Sequence, residues 1–345
     1  MKKLPIGISD FKELITNNYV YVDKTRYIYE LISSTKYVFL SRPRRFGKSL
    51  LLSTIEYLFQ GEKGLFKGLY IEDKWDWNEK YPVIRIDFGE IQTLNKKLLE
   101  EQIYSIILRY SEDYNYRIKQ ELSIYINWRF LIEHISKQVG KQVVILVDEY
   151  DKPILDLINK KEEAEEIREI LKGFYSILKV LDKYIKFVLI TGISKFAKVS
   201  LFSGLNQLKD ISLNKKYGDI CGYTQSELEY YFKDYLEDVN IEEIKEWYNG
   251  YNFLGENVYN PFDVLLYLDE KVFKSYWYET GTPSFLIKLI EQKEYDITKL
   301  EGVKADESLL NKFDVEEIEI EALMFQTGYL TIKDTKETEY GTCLL

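Results

Sequence analysis

The run Val38-Phe39-Leu40-Ser41-Arg42-Pro43-Arg44-Arg45-Phe46-Gly47-Lys48-Ser49-Leu50-Leu51-Leu52 constrains the fold more than any other part of the chain. A short apolar strand feeds a Gly-Lys-Ser turn that opens a helix, which is the layout of a phosphate-binding loop. Backbone N–H groups at a helix N-terminus converge on one anion, Lys48 can reach the β- and γ-phosphates, and the Ser49 hydroxyl can complete a Mg²⁺ shell. The general pattern G-x-x-x-x-G-K-[ST] puts its first glycine where Arg42 stands, so only Gly47, Lys48 and Ser49 match it. Taken alone, the tripeptide also reads as an exposed turn before an amphipathic helix.

A second motif decides between these readings. Val143-Val144-Ile145-Leu146-Val147-Asp148-Glu149 is an aliphatic run, four of its five apolar residues β-branched, that ends in two carboxylates. It reads as a buried parallel strand with acids at its C-terminal edge. In a P-loop NTPase the first acid, Asp148, serves Mg²⁺ and the second, Glu149, polarises the attacking water.

Composition narrows the classes. A formal net charge of −10 argues against a chain whose overall field attracts nucleic-acid backbones. The dense basic cluster Arg42, Arg44, Arg45 lies inside the candidate loop, where a nucleotide polyphosphate is the economical partner. No stretch approaches the roughly 20 apolar residues of a membrane span, and the start Met1-Lys2-Lys3-Leu4-Pro5 lacks a signal-peptide core, so a cytoplasmic protein with no membrane partner is expected. Cys221 and Cys343 lie too far apart in sequence to signal a disulfide framework or a zinc site. His134, the single histidine, sits in a helical pattern without partners for catalysis.

Along the chain, short helices around Asp10–Ile15 and Tyr27–Ile32 precede the first strand, with Asp23 or Thr25 as candidate cap. Helix follows over Lys48–Phe59, then a strand at Tyr81–Phe88. Two helical patterns, roughly Lys96–Tyr110 and Ile118–Val139, come next, then the acid-tipped strand. A helix over Ala164–Leu181 and a fourth strand at Lys186–Gly192 complete the set. Strands separated by helices imply right-handed crossovers and a mostly parallel sheet with the ligand at the strand C-termini. An extra strand between the loop strand and the acidic strand favours the catalytic-Glu branch of P-loop NTPases. The expected class is α/β: a parallel sheet flanked by helices over residues 1–212, a mainly helical lid or winged-helix-like domain over 213–333, and a short tail over 334–345. Thr224 with Glu227 makes a capping box for a helix entering at Leu228. Leu323–Ile332 reads as a last strand pair.

Four segments together carry a resemblance: Tyr21-Val22-Asp23-Lys24-Thr25, the Arg42–Ser49 loop, Val147-Asp148-Glu149-Tyr150-Asp151-Lys152-Pro153, and Thr191-Gly192-Ile193-Ser194-Lys195. With Trp247-Tyr248-Asn249-Gly250-Tyr251, Tyr259-Asn260-Pro261, Thr280-Gly281-Thr282-Pro283-Ser284-Phe285 and Gln326-Thr327-Gly328-Tyr329-Leu330, the chain resembles the bacterial and archaeal AAA-ATPase-like family over nearly its whole length. Arg-Pro-Arg-Arg-Phe-Gly-Lys-Ser is that family's own form of the loop. The family is similar to AAA-type and STAND-type ATPases and typically continues into a C-terminal PD-(D/E)XK nuclease-like domain. Here Leu345 falls just past the point where that domain would begin. Glu72-Asp73-Lys74 and Glu291-Gln292-Lys293 satisfy E-x-K but lack a strand pair and a suitably placed Asp, so no nuclease activity is expected of this chain.

The resemblance implies ATP and Mg²⁺ as cofactors and assigns roles residue by residue. The loop from Arg42 through Pro43, Arg44, Arg45, Phe46, Gly47, Lys48, Ser49 and Leu50 cradles the nucleotide. Ser49 and Asp148 hold the metal, and Lys48, Asp148 and Glu149 are catalytic. Thr191 or Ser194 is the candidate γ-phosphate sensor, with turn or capping hydroxyls as the equal alternative. Tyr21, Asp23 and Lys24 contact the adenine side or pack its pocket. The expected function is Mg²⁺-dependent ATP hydrolysis driving a conformational switch linked to nucleic-acid processing. The alternative is an ATP-dependent regulatory module with little intrinsic hydrolysis. A nucleic-acid or protein partner is expected at the lid, and a homo-oligomer is an open option. A GTPase would need the N-K-x-D motif, present as Asn311-Lys312-Phe313-Asp314 but far beyond the core sheet.

Overall fold

In the computed structural model, residues 1–90, 92–195, 198–202, 204–277, 284–300, 305–306, 319–338 and 341–344 are described. Strands β1 (Tyr37–Ser41), β2 (Val83–Asp87), β3 (Val143–Asp148), β4 (Ile185–Gly192) and β5 (Lys209–Asp210) form one sheet in the order β2-β3-β4-β1-β5. Every pairing in it is parallel. The strand interposed in space between the loop strand β1 and the acidic strand β3 is therefore β4, while β2 takes the edge. Register sets Asp87 beside Asp148 and Ser41 beside Gly192, which brings the chemistry-bearing ends of four strands onto one rim.

Strand residues alternate between two buried faces, as the period of two requires. Phe39, Ile84, Ile86, Ile145, Val147, Val188 and Ile190 pack with Leu99, Trp128, Leu131, Ile167 and Phe174. These last residues come from α4 (Lys96–Asp113), α5 (Ile124–Val139) and α7 (Lys161–Val180). Val38, Leu40, Val144, Leu146 and Leu189 face the other way, onto Phe11, Ile28, Leu52 and Ile55. That layer is α1 (Phe11–Thr16), α2 (Thr25–Ser34) and α3 (Lys48–Phe59). Each fully buried Leu, Ile or Phe is worth ~1.5–3 kcal/mol, so the two apolar faces hold the sheet against its entropy cost. His134 spends its ring Nε2 on the Tyr114 carbonyl at 3.0 Å.

The change of sequence character at residue 213 is not a break in the core. Tyr217, Ile220, Cys221, Phe253, Val258 and Phe325 join the same apolar cluster as Leu51 and Leu52 of α3. A further cluster binds Val20 and Val22 to Leu228, Ile244 and Val264. The last three lie on α9 (Gln225–Tyr231), α10 (Ile241–Tyr248) and α11 (Pro261–Glu270). The Thr224–Glu227 capping box forms as the sequence predicts. The expected strand pair at Leu323–Ile332 is instead a helix, Ile320–Thr327, stopped by Gly328 at φ +91. Apolar runs of this length do not separate helix from strand by period, and glycine in the left-handed region is a helix terminator. Short strands flank it: β6 (Ala305–Asp306) before it and β7 (Thr335–Thr338) and β8 (Gly341–Leu344) after it make an antiparallel sheet in the order β6-β8-β7.

Thr280–Pro283 and Asn311–Asp314 lie outside the described residues. Glu72 and Glu291 are not on strands. Among the described residues no helix is long and apolar enough to cross a membrane.

Candidate functional site: a nucleotide cleft at the strand C-termini

After β1 the chain folds into a tight loop in which Arg45 (φ +67) and Gly47 (φ +87) both take left-handed backbone. Gly47 is the residue preceding α3 and supplies no side-chain cap. An uncapped helix start leaves its first N–H groups to an external acceptor, and the helix dipole favours that acceptor being anionic. The left-handed Gly47 turns those groups toward the cleft without the cost a Cβ would bring.

Lys48 is buried, and its Nζ donates to the Arg42 and Pro43 carbonyls, each at 2.9 Å. Burial pulls its pKa down, while the carboxylates of Asp148 and Glu149 oppose that pull. The cleft beside it has a volume of about 480 Å³ and takes its floor from Arg44, Arg45, Phe46, Gly47, Lys48, Ser49 and Leu50. Tyr21 and Lys24 border it on one side and Glu149 on another, and the C-terminal half contributes Cys221, Tyr223, Phe262 and Leu265. The Arg45 guanidinium lies over the Phe262 ring at 4.8 Å.

At the end of β3, Asp148 is buried, and its Oδ1 accepts from the Thr191 hydroxyl at 2.7 Å and from the Glu149 amide at 3.1 Å. Its Oδ2 is buried with no hydrogen-bond partner among the described residues. A buried carboxylate oxygen without a donor costs several kcal/mol unless a cation or water meets it. Together with the Ser49 hydroxyl on the cleft floor, this is a donor set of hard oxygens, which suits Mg²⁺ completed by phosphate and water. The residues present therefore fit the metal.

Glu149 adopts φ +50, uncommon for a residue with a Cβ, and such strain concentrates at functional sites. Its carboxylate packs over Gly89: a Cβ there would fall 2.7 Å from Glu149 Oε2 and 2.9 Å from Asp87 Oδ1. Burial raises the pKa of Glu149, and neighbouring Asp148 and Asp87 add to the rise against the pull of Lys48. Asp87 is raised likewise, by burial first.

Other expected site residues do different work. The Arg42 side chain points away from the cleft, to the carbonyls of Ser41 and Ser212 through Nη1 and of Tyr217 and Gly218 through Nη2, and stacks on Phe253 at 4.0 Å. Its place in the nucleotide cradle is corrected to that of an internal clamp. Burial lowers its pKa to about 10, still a cation at neutral pH. Pro43 lies outside the cleft wall and offers only its carbonyl to Lys48. Asp23 is corrected too: its carboxylate accepts from the Thr25 amide and hydroxyl and from the Tyr70 amide, fixing the start of α2. Lys24 borders the cleft but pairs with Glu227 at 2.6 Å and with the Asp219 carbonyl at 2.8 Å. Phe46 is buried edge-on against Tyr251 at 4.8 Å.

Of the two sensor candidates, Thr191 is bound to Asp148. The Ser194 hydroxyl instead donates to Asp151 Oδ2 at 2.6 Å. Asp151 is fully buried and also accepts from the amides of Ile193 and Ser194, so it ties the end of β3 to the end of β4.

A parallel α/β sheet in this order, with an uncapped glycine-lysine-serine helix start facing an acid-tipped strand, is consistent with a P-loop-like fold. The family model described as Predicted AAA-ATPase matches residues 5–202, and the chain belongs to that family. It is also 46% identical, over 334 residues, to the "Uncharacterized protein in vnfD 5'region" of Azotobacter chroococcum mcd 1. The match takes in 96% of this chain and 64% of that protein, so the chain spans somewhat less than two thirds of this relative. The family's description points to ATP as the nucleotide.

Proposed function

We propose that this protein binds ATP with Mg²⁺ in the cleft above α3 and hydrolyses it, using the cycle as a conformational switch. The observation that carries the reading is the convergence of three groups at the strand C-termini: buried Lys48, the unpartnered Asp148 Oδ2, and Glu149 on the cleft wall. The α3 N-terminus and Lys48 hold the β- and γ-phosphates, and Arg44 and Arg45 add positive charge at the mouth. Ser49 and Asp148 would hold Mg²⁺, which supplies charge neutralisation across the phosphate oxygens when bound.

Glu149 accepts a proton from water as the water oxygen bonds to the γ-phosphorus. The bond from that phosphorus to the β-bridging oxygen breaks, and ADP and phosphate leave. The raised proton affinity of Glu149 suits a base that must capture a proton near neutral pH. The switch reading draws on Phe262 and Cys221, which bring the C-terminal half to the same cleft. We extend it to a lid over residues 213–333 that answers nucleotide state and engages a nucleic-acid or protein partner.

A second reading, ATP binding with little turnover, draws on the cluster of Asp87, Asp148 and Glu149 around one lysine, which favours the protonated, inactive form of Glu149. Nucleotide binding and phosphate release separate the two. Wild type is expected to do both with ATP and not with GTP, Lys48→Ala to lose binding, and Glu149→Gln to bind without release. Binding without release in wild type would favour the second reading, and no binding at all would remove both.

A further inference from the structure

The segments Trp247–Tyr251 and Gln326–Leu330 stand out in the sequence, yet the nucleotide cleft uses little of either. With α11 and Trp277 they enclose a second cavity of about 190 Å³. Its walls are aromatic: Trp247, Tyr248, Tyr251, Trp277 and Tyr329. Asp263 is its one charged lining residue among the described residues. Trp277 and Tyr329 meet edge-to-face at 4.9 Å, and Trp247 stacks on Phe273 at 5.5 Å while leaving about half its surface exposed at the rim.

Asp263 is only 1% exposed. Its one hydrogen bond among the described residues comes from the Trp277 amide to Oδ1 at 2.8 Å, and no described lysine or arginine forms an ion pair with it. A buried carboxylate with a single donor is expensive where only packing is needed. The titratable groups that face it are Tyr248, Tyr251 and Tyr276, each with its own pKa pushed up by burial. Burial raises Asp263 itself to about 7.

We propose that this cavity binds an organic cation, an ammonium or guanidinium group that lies against the aromatic walls and pairs with the Asp263 carboxylate. Aromatic faces attract cations most strongly where water is excluded, and the anion at the base fixes the charge sign of the guest. The volume is below the roughly 300 Å³ at which sites for drug-sized ligands begin, which suits a side-chain head or a small free cation. A nucleotide of a nucleic acid is disfavoured because its phosphate would meet a carboxylate in a chain of net charge −10.

The cavity is distinct from the nucleotide cleft but adjoins it. Phe262 borders the cleft and Asp263, the next residue, lines the cavity, while Tyr251 packs edge-on against Phe46 of the phosphate loop. The cation site is thus placed to report on, or act upon, the loop through one helical turn and one ring contact.

The test is tryptophan fluorescence and calorimetric titration of the full chain with tetramethylammonium, arginine methyl ester and a short Arg/Lys peptide. Saturable binding is expected, about tenfold tighter at pH 8 than at pH 6, the ratio of ionised fractions for a carboxylate titrating at about 7. Asp263→Asn keeps an acceptor for the Trp277 amide and removes the charge, and a loss of about tenfold or more is expected with ATP binding intact. Trp247→Ala, at the exposed rim, is expected to weaken binding with unchanged melting. Lys48→Ala should retain cation binding, so the outcome does not depend on the nucleotide reading. Preference for the free cations marks a small-molecule ligand, and preference for the peptide marks a protein side chain. Absence of saturable binding by all three probes, equal binding by Asp263→Asn, or displacement of the cations by an oligonucleotide would overturn the proposal.

Discussion

The Thr191 hydroxyl donates to Asp148 Oδ1 at 2.7 Å and to the Val147 carbonyl at 3.3 Å, so the end of β4 fixes the rotamer of the acid that ends β3. The other oxygen of that carboxylate has no donor among the described residues. Thr191 acts as a positioning residue for Asp148.

Thr191→Val keeps the shape of the side chain and removes the donor. We expect Mg²⁺ affinity in the presence of ATP to fall by ~10–100-fold, the usual penalty for losing a residue that orients a ligand. Nucleotide affinity without Mg²⁺ should be nearly unchanged. A magnesium titration of nucleotide binding measures both.

Hydrolysis should rise with pH as Glu149 loses its proton. Because burial first, then Asp148 and Asp87, hold its pKa above the ordinary 4.5, the acid limb of the rate profile is expected to lie above that of an exposed glutamate. Gly89→Ala would push a methyl group onto the Glu149 carboxylate. We expect a drop in turnover larger than any drop in ATP affinity, read from single-turnover rates and equilibrium binding.

Arg42→Met leaves four backbone carbonyls in the interior without their donor. A loss of about 3–5 kcal/mol in stability is expected from urea unfolding, since removing one partner of a buried charged network strands the rest. Had Arg42 served the nucleotide, the same substitution would cost binding and spare stability.

Asp263 supplies a pH test of stability. Its folded value of about 7 lies above the ordinary 3.8, so the native state holds an extra proton between those limits. Unfolding free energy from this group is therefore highest below pH 4, declines as pH rises toward 7, and is flat above it. Asp263→Asn should remove that decline, gaining on wild type by on the order of 1–4 kcal/mol at pH 8 relative to pH 4. Parallel denaturation series of the two proteins give the difference.

Much of the sheet was legible because its signals are local. Val143–Asp148 is a strand by its unbroken aliphatic run, and Lys48–Phe59 is a helix that begins at the lysine. The loop residues Arg44 to Leu50 were legible as cleft residues because a glycine-lysine-serine turn leaves few geometries open. Arg42 was not, because an arginine beside two others near a phosphate loop reads as phosphate charge, while its acceptors lie 170 and more residues away. Lys24 lines the cleft, but its partner Glu227, 203 residues distant, was hidden for the same reason, whereas the capping of α2 by Asp23 was legible. Asp263 follows Asn260 and Pro261 at a helix start, where an acid is ordinary, and only tertiary packing reveals it as a buried charge. Strand order was also beyond the sequence, which records that a strand exists but not that β4 slots between β1 and β3.

The Arg42 clamp bears on where the molecule can bend. One guanidinium grips the last residue of the loop strand and three carbonyls from Ser212 to Gly218, which are the very positions where composition suggests a joint. That stretch is riveted to the base of the phosphate loop rather than hung from it. A swinging motion about residue 213 would have to unfasten the bonds to Tyr217 and Gly218. The proposed lid would then turn on a pivot farther along, beyond Gly218, and any shift of the phosphate loop would pass into the stretch from Ser212 to Gly218 as through a shaft with no free play.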